Sequence, residues 1–167
     1  MRVVLLSDTH APRFWKRLPP AVAAHLQGAD LVLHAGDVCV PSVLDELAAH
    51  APVRVVLGNN DGADVAAWGA PETLELDLDG LRVAMVHDAG ARQGRVARMH
   101  RRFPDADLVV FGHSHIPLDE AATFPDGRTV RIVNPGSPTD KRRQPHRTLA
   151  LLDVVDGRAD VRFVELP

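Results

Sequence analysis

Five short apolar runs are each closed by a polar cluster, and this recurrence limits the possible folds more than any other feature of the chain. Val3-Val4-Leu5-Leu6 runs into Asp8-Thr9-His10, and Leu31-Val32-Leu33 runs into Gly36-Asp37. Val53–Leu57 is followed by Gly58-Asn59-Asn60-Asp61, Val83–Val86 by His87, and Leu108–Phe111 by Gly112-His113-Ser114-His115. Brief Val- and Leu-rich runs with polar ends read as strands buried on both faces. In an open α/β sheet, ligand crevices form beyond the carboxyl ends of the strands. Chain-distant Asp, Asn and His side chains at several such ends can therefore converge on one spot.

The segments between these runs follow a different period. Pro19–Gln27 and Pro41–His50 read as helices, each opened by a proline whose fixed φ suits a first turn. Val43-Leu44 and Leu47-Ala48 repeat at the three-and-four spacing of one helix face. After Pro71 the pattern becomes alternating: Thr73–Leu78, then Asp79-Gly80, then Leu81–Val86, a strong hairpin signal. Ala91–Phe103 reads as a basic amphipathic helix. The remainder reads as two hairpins, Glu120–Phe124 with Thr129–Val133 around Asp126-Gly127, and Thr148–Val154 with Ala159–Glu165 around Asp156-Gly157. The order predicts one α/β domain over residues 1–167, with two mixed sheets face to face and helices outside.

Composition narrows the function. With 167 residues, 46% hydrophobic and 25% charged, the chain can bury the core of an ordinary globular domain. A net charge of -3 argues against nucleic-acid binding, which needs a basic face. Lys141-Arg142-Arg143 is the one dense basic run, and a solvated loop is the favoured reading over a phosphate-contacting patch. Cys39 is the only cysteine, so no internal disulfide can form. No segment has the length and apolarity of a membrane span. These features point to the cytoplasm.

Taken singly, most of the polar clusters have plain structural readings. Asp8-x-His10 alone suits a helix-capping Asp beside a surface His. Gly36-Asp37 and Gly58–Asp61 alone suit turns. Gly112-His113-Ser114-His115 is more specific, since two buried imidazoles cost desolvation unless both are bonded. His25, His50, His100 and His146 read as surface residues. Together the clusters form a ligand set mixing imidazole nitrogen with carboxylate and amide oxygen. That set suits Mn, Fe, Zn, Co or Ni, and disfavours both an all-oxygen Mg site and a thiolate Zn site. A carboxylate at Asp37 can bridge two cations, since each of its oxygens can bind one.

The order D-x-H, G-D, G-N-x-D, H, G-H-x-H resembles the calcineurin-like metallophosphoesterase superfamily. Ile132-Val133-Asn134-Pro135-Gly136-Ser137 narrows the resemblance to the small branch of YfcE-type phosphodiesterases and Vps29. The resemblance implies a four-layer αββα sandwich and a centre of two divalent transition-metal ions, manganese first among them. Asp8, His10, Asp37 and His115 would hold one ion. Asp37 as the bridge, Asn59, His87 and His113 would hold the other. His34 is similar to a histidine that orients a ligand or meets solvent, while Asn134 and Ser137 brace the site and Gly136 gives that turn its backbone freedom. The implied activity is hydrolysis of a small phosphate ester by water activated between the cations. A phosphodiesterase is favoured. A phosphomonoesterase or nucleotidase, or a Vps29-like protein-binding scaffold, stands as the alternative. Relatives imply a homo-oligomer, dimer or higher.

Two positions depart from the family pattern. Asn60 stands where the superfamily commonly has the histidine that protonates the leaving group, and an amide supplies no useful proton at neutral pH. Within the expected catalytic set of Asp37, Asn60 and Asp61, the proton source is therefore missing, and good leaving groups are expected. Asp88 follows His87 where glycine is usual; it either touches the site or caps the next helix, the cap being favoured. Arg13-Phe14-Trp15-Lys16 reads equally as a crevice mouth or a surface loop.

Overall fold

Val3 and Leu5 pack against one set of side chains and Val4 and Leu6 against another, so the first strand, β1 (Arg2–Leu6), is covered on both faces. The computed structural model covers Met1–Pro167. β1 lies in a five-stranded sheet of order β10-β9-β1-β2-β3, where β2 is Leu31–His34, β3 Val53–Val55, β9 Arg147–Val155 and β10 Arg158–Leu166. β1, β2 and β3 are parallel, and the β9–β10 hairpin joins antiparallel through β9. The second five-stranded sheet has the order β4-β5-β6-β8-β7: β4 is Thr73–Leu78, β5 Leu81–Val86, β6 Leu108–Val110, β7 Leu118–Thr123 and β8 Thr129–Asn134. Here β5, β6 and β8 are parallel, with antiparallel partners at both edges.

Period-two alternation sorts the apolar residues into three cores. Val3, Leu5, Leu33, Val83, Met85, Leu108, Val110 and Leu152 meet between the sheets. On the outer face of the first sheet, Val4, Leu6 and Val32 meet helices α1 (Pro20–Leu26), α2 (Ser42–Ala48) and α3 (Ala63–Trp68) through Leu26, Leu44, Leu47 and Val65. On the outer face of the second, Ala84, Val109 and Ile132 meet α4 (Arg95–Arg102) and the Phe103 beyond it. Each fully buried Leu, Met or Phe contributes about 1.5–3 kcal/mol. The layers run helix, sheet, sheet, helix, which is the expected αββα sandwich.

The departures from expectation are local. α3 had no periodic signal: it is six residues long with Val65 as its one buried residue, and Trp68 ties it to α2 by donating to Asp45 Oδ1 at 2.9 Å. α4 begins at Arg95 rather than Ala91, because Gly90 and Gly94 take positive φ of 77° and 67°. Asp88 therefore does not cap that helix. It accepts the Gly90 N–H at 2.7 Å and closes the turn after β5. Trp15 is core, 2% exposed and donating to Glu46 Oε2, while Phe14 beside it is exposed. Asp79-Gly80 and Asp156-Gly157 both carry positive φ at the two central positions, as type I′ hairpins require.

Candidate metal centre

The carboxyl ends of β1, β2 and β3 in one sheet and of β5, β6 and β8 in the other feed loops into one region. Ladder bonding continues into the loops: Asp8 N–H donates to Gly36 O at 2.9 Å, His10 N–H to Asp37 O at 3.0 Å, and Gly112 N–H to His87 O at 2.9 Å. The sheets are joined where the His113 N–H reaches Asp8 Oδ2 at 3.0 Å. Three of the loops share a backbone device. Asp8 and His10, Asp37 and Cys39, and His113 and His115 all have φ between 47° and 71°, with one residue between each pair. Each non-glycine residue there costs on the order of 1 kcal/mol, and such strain clusters at functional sites.

The motif glycines have steric reasons. A Cβ on Gly58 would overlap Asp37 N and Oδ1, and one on Gly112 would overlap Ser7 Oγ and crowd Asp8 Oδ2. The loops approach too closely for any side chain at either position.

All seven expected ligands come together. Asp8, Asp37, His87 and His115 are buried, His10 is half-buried, and Asn59 and His113 are exposed. His115 Nε2 lies 3.3 Å from Asp8 Oδ1 and 3.2 Å from His10 Nε2, and His10 Nε2 lies 3.6 Å from Asp37 Oδ2. On the other side, His87 Nε2 lies 3.4 Å from Asp37 Oδ2 and 3.1 Å from Asn59 Oδ1, which is 2.9 Å from His113 Nδ1. The ligand atoms of Asp8, His10 and His115, and likewise of Asp8, Asp37 and His87, all fall within 4.8 Å of one another. Asp8 thus reaches both groups. One Asp37 oxygen, Oδ2, faces both histidines, whereas Oδ1 accepts the Asn60 N–H at 2.8 Å.

The outer nitrogens fix which ring atoms face inward. His87 Nδ1–H donates to Ala35 O at 2.7 Å, and His115 Nδ1–H donates to Asp140 O. Their Nε2 lone pairs then face carboxylate, amide or imidazole acceptors. Acceptors this close need a proton or a cation between them. Burial alone would lower the His87 and His115 rings, but Asp37 and Asp8 respectively raise both above the ordinary histidine value. Burial alone would raise Asp8 and Asp37, but bonds from His115 and Ser7, and from His87 and Asn60, bring both below the ordinary carboxylate range. The donor chemistry fits divalent ions in place of those protons.

The neighbouring residues divide into distinct roles. Asn60 Nδ2 donates to Asp37 Oδ2 at 2.7 Å. Asp61, expected among the catalytic groups, instead accepts the N–H groups of Asp37 at 2.9 Å, Cys39 at 2.6 Å and Gly58 at 2.7 Å, so both its oxygens are committed to the loop. His34 is fully buried and meets no solvent. Asn134 donates to Gly112 O and Ser137 to Asp8 O, both at 2.7 Å. Gly136 takes φ of 74°. His100 is not a simple surface residue: it bonds Asp126 at 3.0 Å and stacks on Phe124.

Sequence reasoning missed Cys39, whose Sγ lies 3.7 Å from His10 Nδ1. Burial and the Asp61, Asp37 and Asp8 carboxylates push its thiol up to about 12. It also missed the cleft of about 440 Å³ beside Asn59, His87 and His113, rimmed by Glu72, Asp88 and Arg102. No local pattern marks either feature, because both are made by residues far apart in the chain.

Comparison with known proteins agrees with this arrangement. Residues 1–157 match the calcineurin-like phosphoesterase superfamily domain. A probable metallophosphoesterase of Methanothermobacter thermautotrophicus is 31% identical over 146 residues, covering 85% of this chain and 80% of that protein. The solution structure of Thermotoga maritima protein TM1076 is 28% identical, with a TM-score of 0.74 and coverage of 99% of both chains. Vps29 of Entamoeba histolytica, solved as a single mutant, is 23% identical with a TM-score of 0.74 over 100% of both chains, a likeness of fold alone. On the strength of the domain match and the Methanothermobacter relative, the chain belongs to the calcineurin-like phosphoesterase superfamily.

Proposed function

We propose that this chain is a metal-dependent phosphodiesterase with a dinuclear transition-metal centre. Asp8, His10, Asp37 and His115 would hold one ion, and Asp37, Asn59, His87 and His113 the other. The observation that carries this reading is the placement of Asp37 Oδ2, 3.6 Å from His10 Nε2 and 3.4 Å from His87 Nε2. Bound divalent ions, manganese before Fe, Zn, Ni or Co, would lower the pKa of a water between them and offset charge growing on the phosphoryl oxygens.

The chain's own part is positioning. Ala35 and Asp140 carbonyls orient His87 and His115, and Asn60 holds Asp37 through backbone and side chain. Asn60 brings no acid to the leaving group, which favours esters whose alcohol departs without a proton, such as aryl or nucleotide-like diesters. The Vps29 likeness supports a protein-binding scaffold as the second reading, but seven converging donors favour catalysis. The same proposal places the enzyme in the cytoplasm. No helix is long and apolar enough to cross a membrane.

The test is hydrolysis of bis-p-nitrophenyl phosphate by manganese-reconstituted protein. Turnover is expected with metal and not with chelator, and Asp37→Ala should lose at least about a hundredfold. Wild-type turnover in Asp37→Ala would overturn the assigned mechanism.

A further inference from the structure

The segment after β8 packs as a strap against the loops that carry the candidate ligands Asp8 and His115. Ser137 Oγ donates to Asp8 O at 2.7 Å, and Thr139 Oγ1 donates to Thr9 O at 2.9 Å. The Asp140 N–H returns to Ser137 Oγ at 2.8 Å, while the Asp140 carbonyl accepts from His115 Nδ1. Arg147 Nε fixes the other end by donating to Thr139 O at 3.0 Å. Between these anchors, Arg142 stands at φ of 48°, a left-handed backbone that a non-glycine residue adopts only when its surroundings impose it.

Arg142 Nη1 reaches the His113 carbonyl at 3.4 Å, a long bond that leaves most of the guanidinium donors free. The guanidinium thus lies beside the backbone of His113, one of the candidate ligands. The side chain makes no ion pair, unlike Arg82, Arg128 and Arg131, which hold Asp107 or Asp119. A free planar cation beside a phosphoryl site is suited to bidentate contact with phosphate oxygens. The strap fixes the backbone that carries it.

We infer that Arg142 is a substrate-binding residue that takes phosphoryl oxygens of an ester, or of inorganic phosphate, bound at this centre. The inference rests on the phosphoesterase reading and sharpens it, replacing the solvated-loop reading of Lys141-Arg142-Arg143 at its middle residue. Arg143, exposed and next in the chain, is the control for charge alone.

The test titrates inorganic phosphate into manganese-loaded full-length protein by calorimetry, for wild type, Arg142→Ala, Arg142→Lys and Arg143→Ala, with metal content checked in each. Arg142→Ala should weaken phosphate binding tenfold or more at unchanged metal content. Arg142→Lys should recover part of the loss, and Arg143→Ala should stay within twofold of wild type. KM for bis-p-nitrophenyl phosphate should rise in Arg142→Ala by more than kcat falls. Phosphate binding within twofold of wild type in Arg142→Ala, an equal loss in Arg143→Ala, or no binding by wild type would each overturn the inference. Failure of the phosphodiesterase reading would show separately, as a wild type that binds phosphate but does not hydrolyse the diester.

Discussion

His34 is neutral by construction. The Gly36 N–H donates to its Nδ1 at 3.2 Å, which leaves Nε2–H to donate to Thr9 Oγ1, also at 3.2 Å. Complete burial pushes the ring down to about 4 from the usual 6.5. The unfolded chain takes up a proton below about pH 6.5, and the folded chain does so only near 4. This contribution is therefore fully present above pH 6.5 and is lost as pH falls from 6.5 to 4, by about 3 kcal/mol. Urea unfolding of metal-free protein should show wild type losing that much more than His34→Gln across the interval; equal losses would remove the argument. Asn60 poses the other question at this scale. The backbone N–H of residue 60 already serves Asp37 Oδ1, so Asn60→His keeps that bond while adding a proton donor. The gain in monoester activity over wild type should rise with the pKa of the leaving alcohol, toward at most the roughly 10²–10⁴ that general acids supply. A gain independent of leaving group would place the acid elsewhere.

At the scale of elements, the loops hold their geometry by contact between backbones. Gly112→Ala would drive a methyl into Ser7 and Asp8, costing about 1–3 kcal/mol and displacing a ligand loop. Thermal unfolding with and without manganese would register both effects, and a variant as stable and as metal-responsive as wild type would contradict them. The strands were legible because Val3–Leu6, Val83–Val86 and Leu108–Val110 must satisfy two cores with alternate residues, which forces near-continuous apolar runs. α3 was not legible, since one buried Val65 makes no period and the anchor from Trp68 to Asp45 is a tertiary contact. The start of α4 was misplaced because its amphipathic pattern runs back past Gly94 to Ala91, whereas Gly94, at positive φ, caps the helix and it begins at Arg95. The candidate ligands were legible as residue types at strand ends. Their left-handed backbones, the one Asp37 oxygen that faces both His10 and His87, the bonds of Asp61 to loop N–H groups and the reach of Arg142 arise from long-range packing, and local pattern carries none of it.

The whole molecule packs two sheets face to face so that three parallel strands of each end at the same place. Neither sheet alone holds a complete site: Asp8, His10, Asp37 and Asn59 follow strands of the first, and His87, His113 and His115 follow strands of the second. Metal binding is thereby coupled to docking of the sheets, and ions that bind only the folded chain stabilise it by about 2.7 kcal/mol at a hundredfold excess over Kd. The central claim is the proposed one, that Asp37, whose Oδ2 faces both His10 and His87, would serve both ions of a two-ion centre. Elemental analysis of manganese-reconstituted, desalted protein measures this most directly. The account predicts about two ions per chain in wild type and fewer than one in Asp37→Ala. A wild type that retains no metal, or a variant that retains both ions, would contradict it.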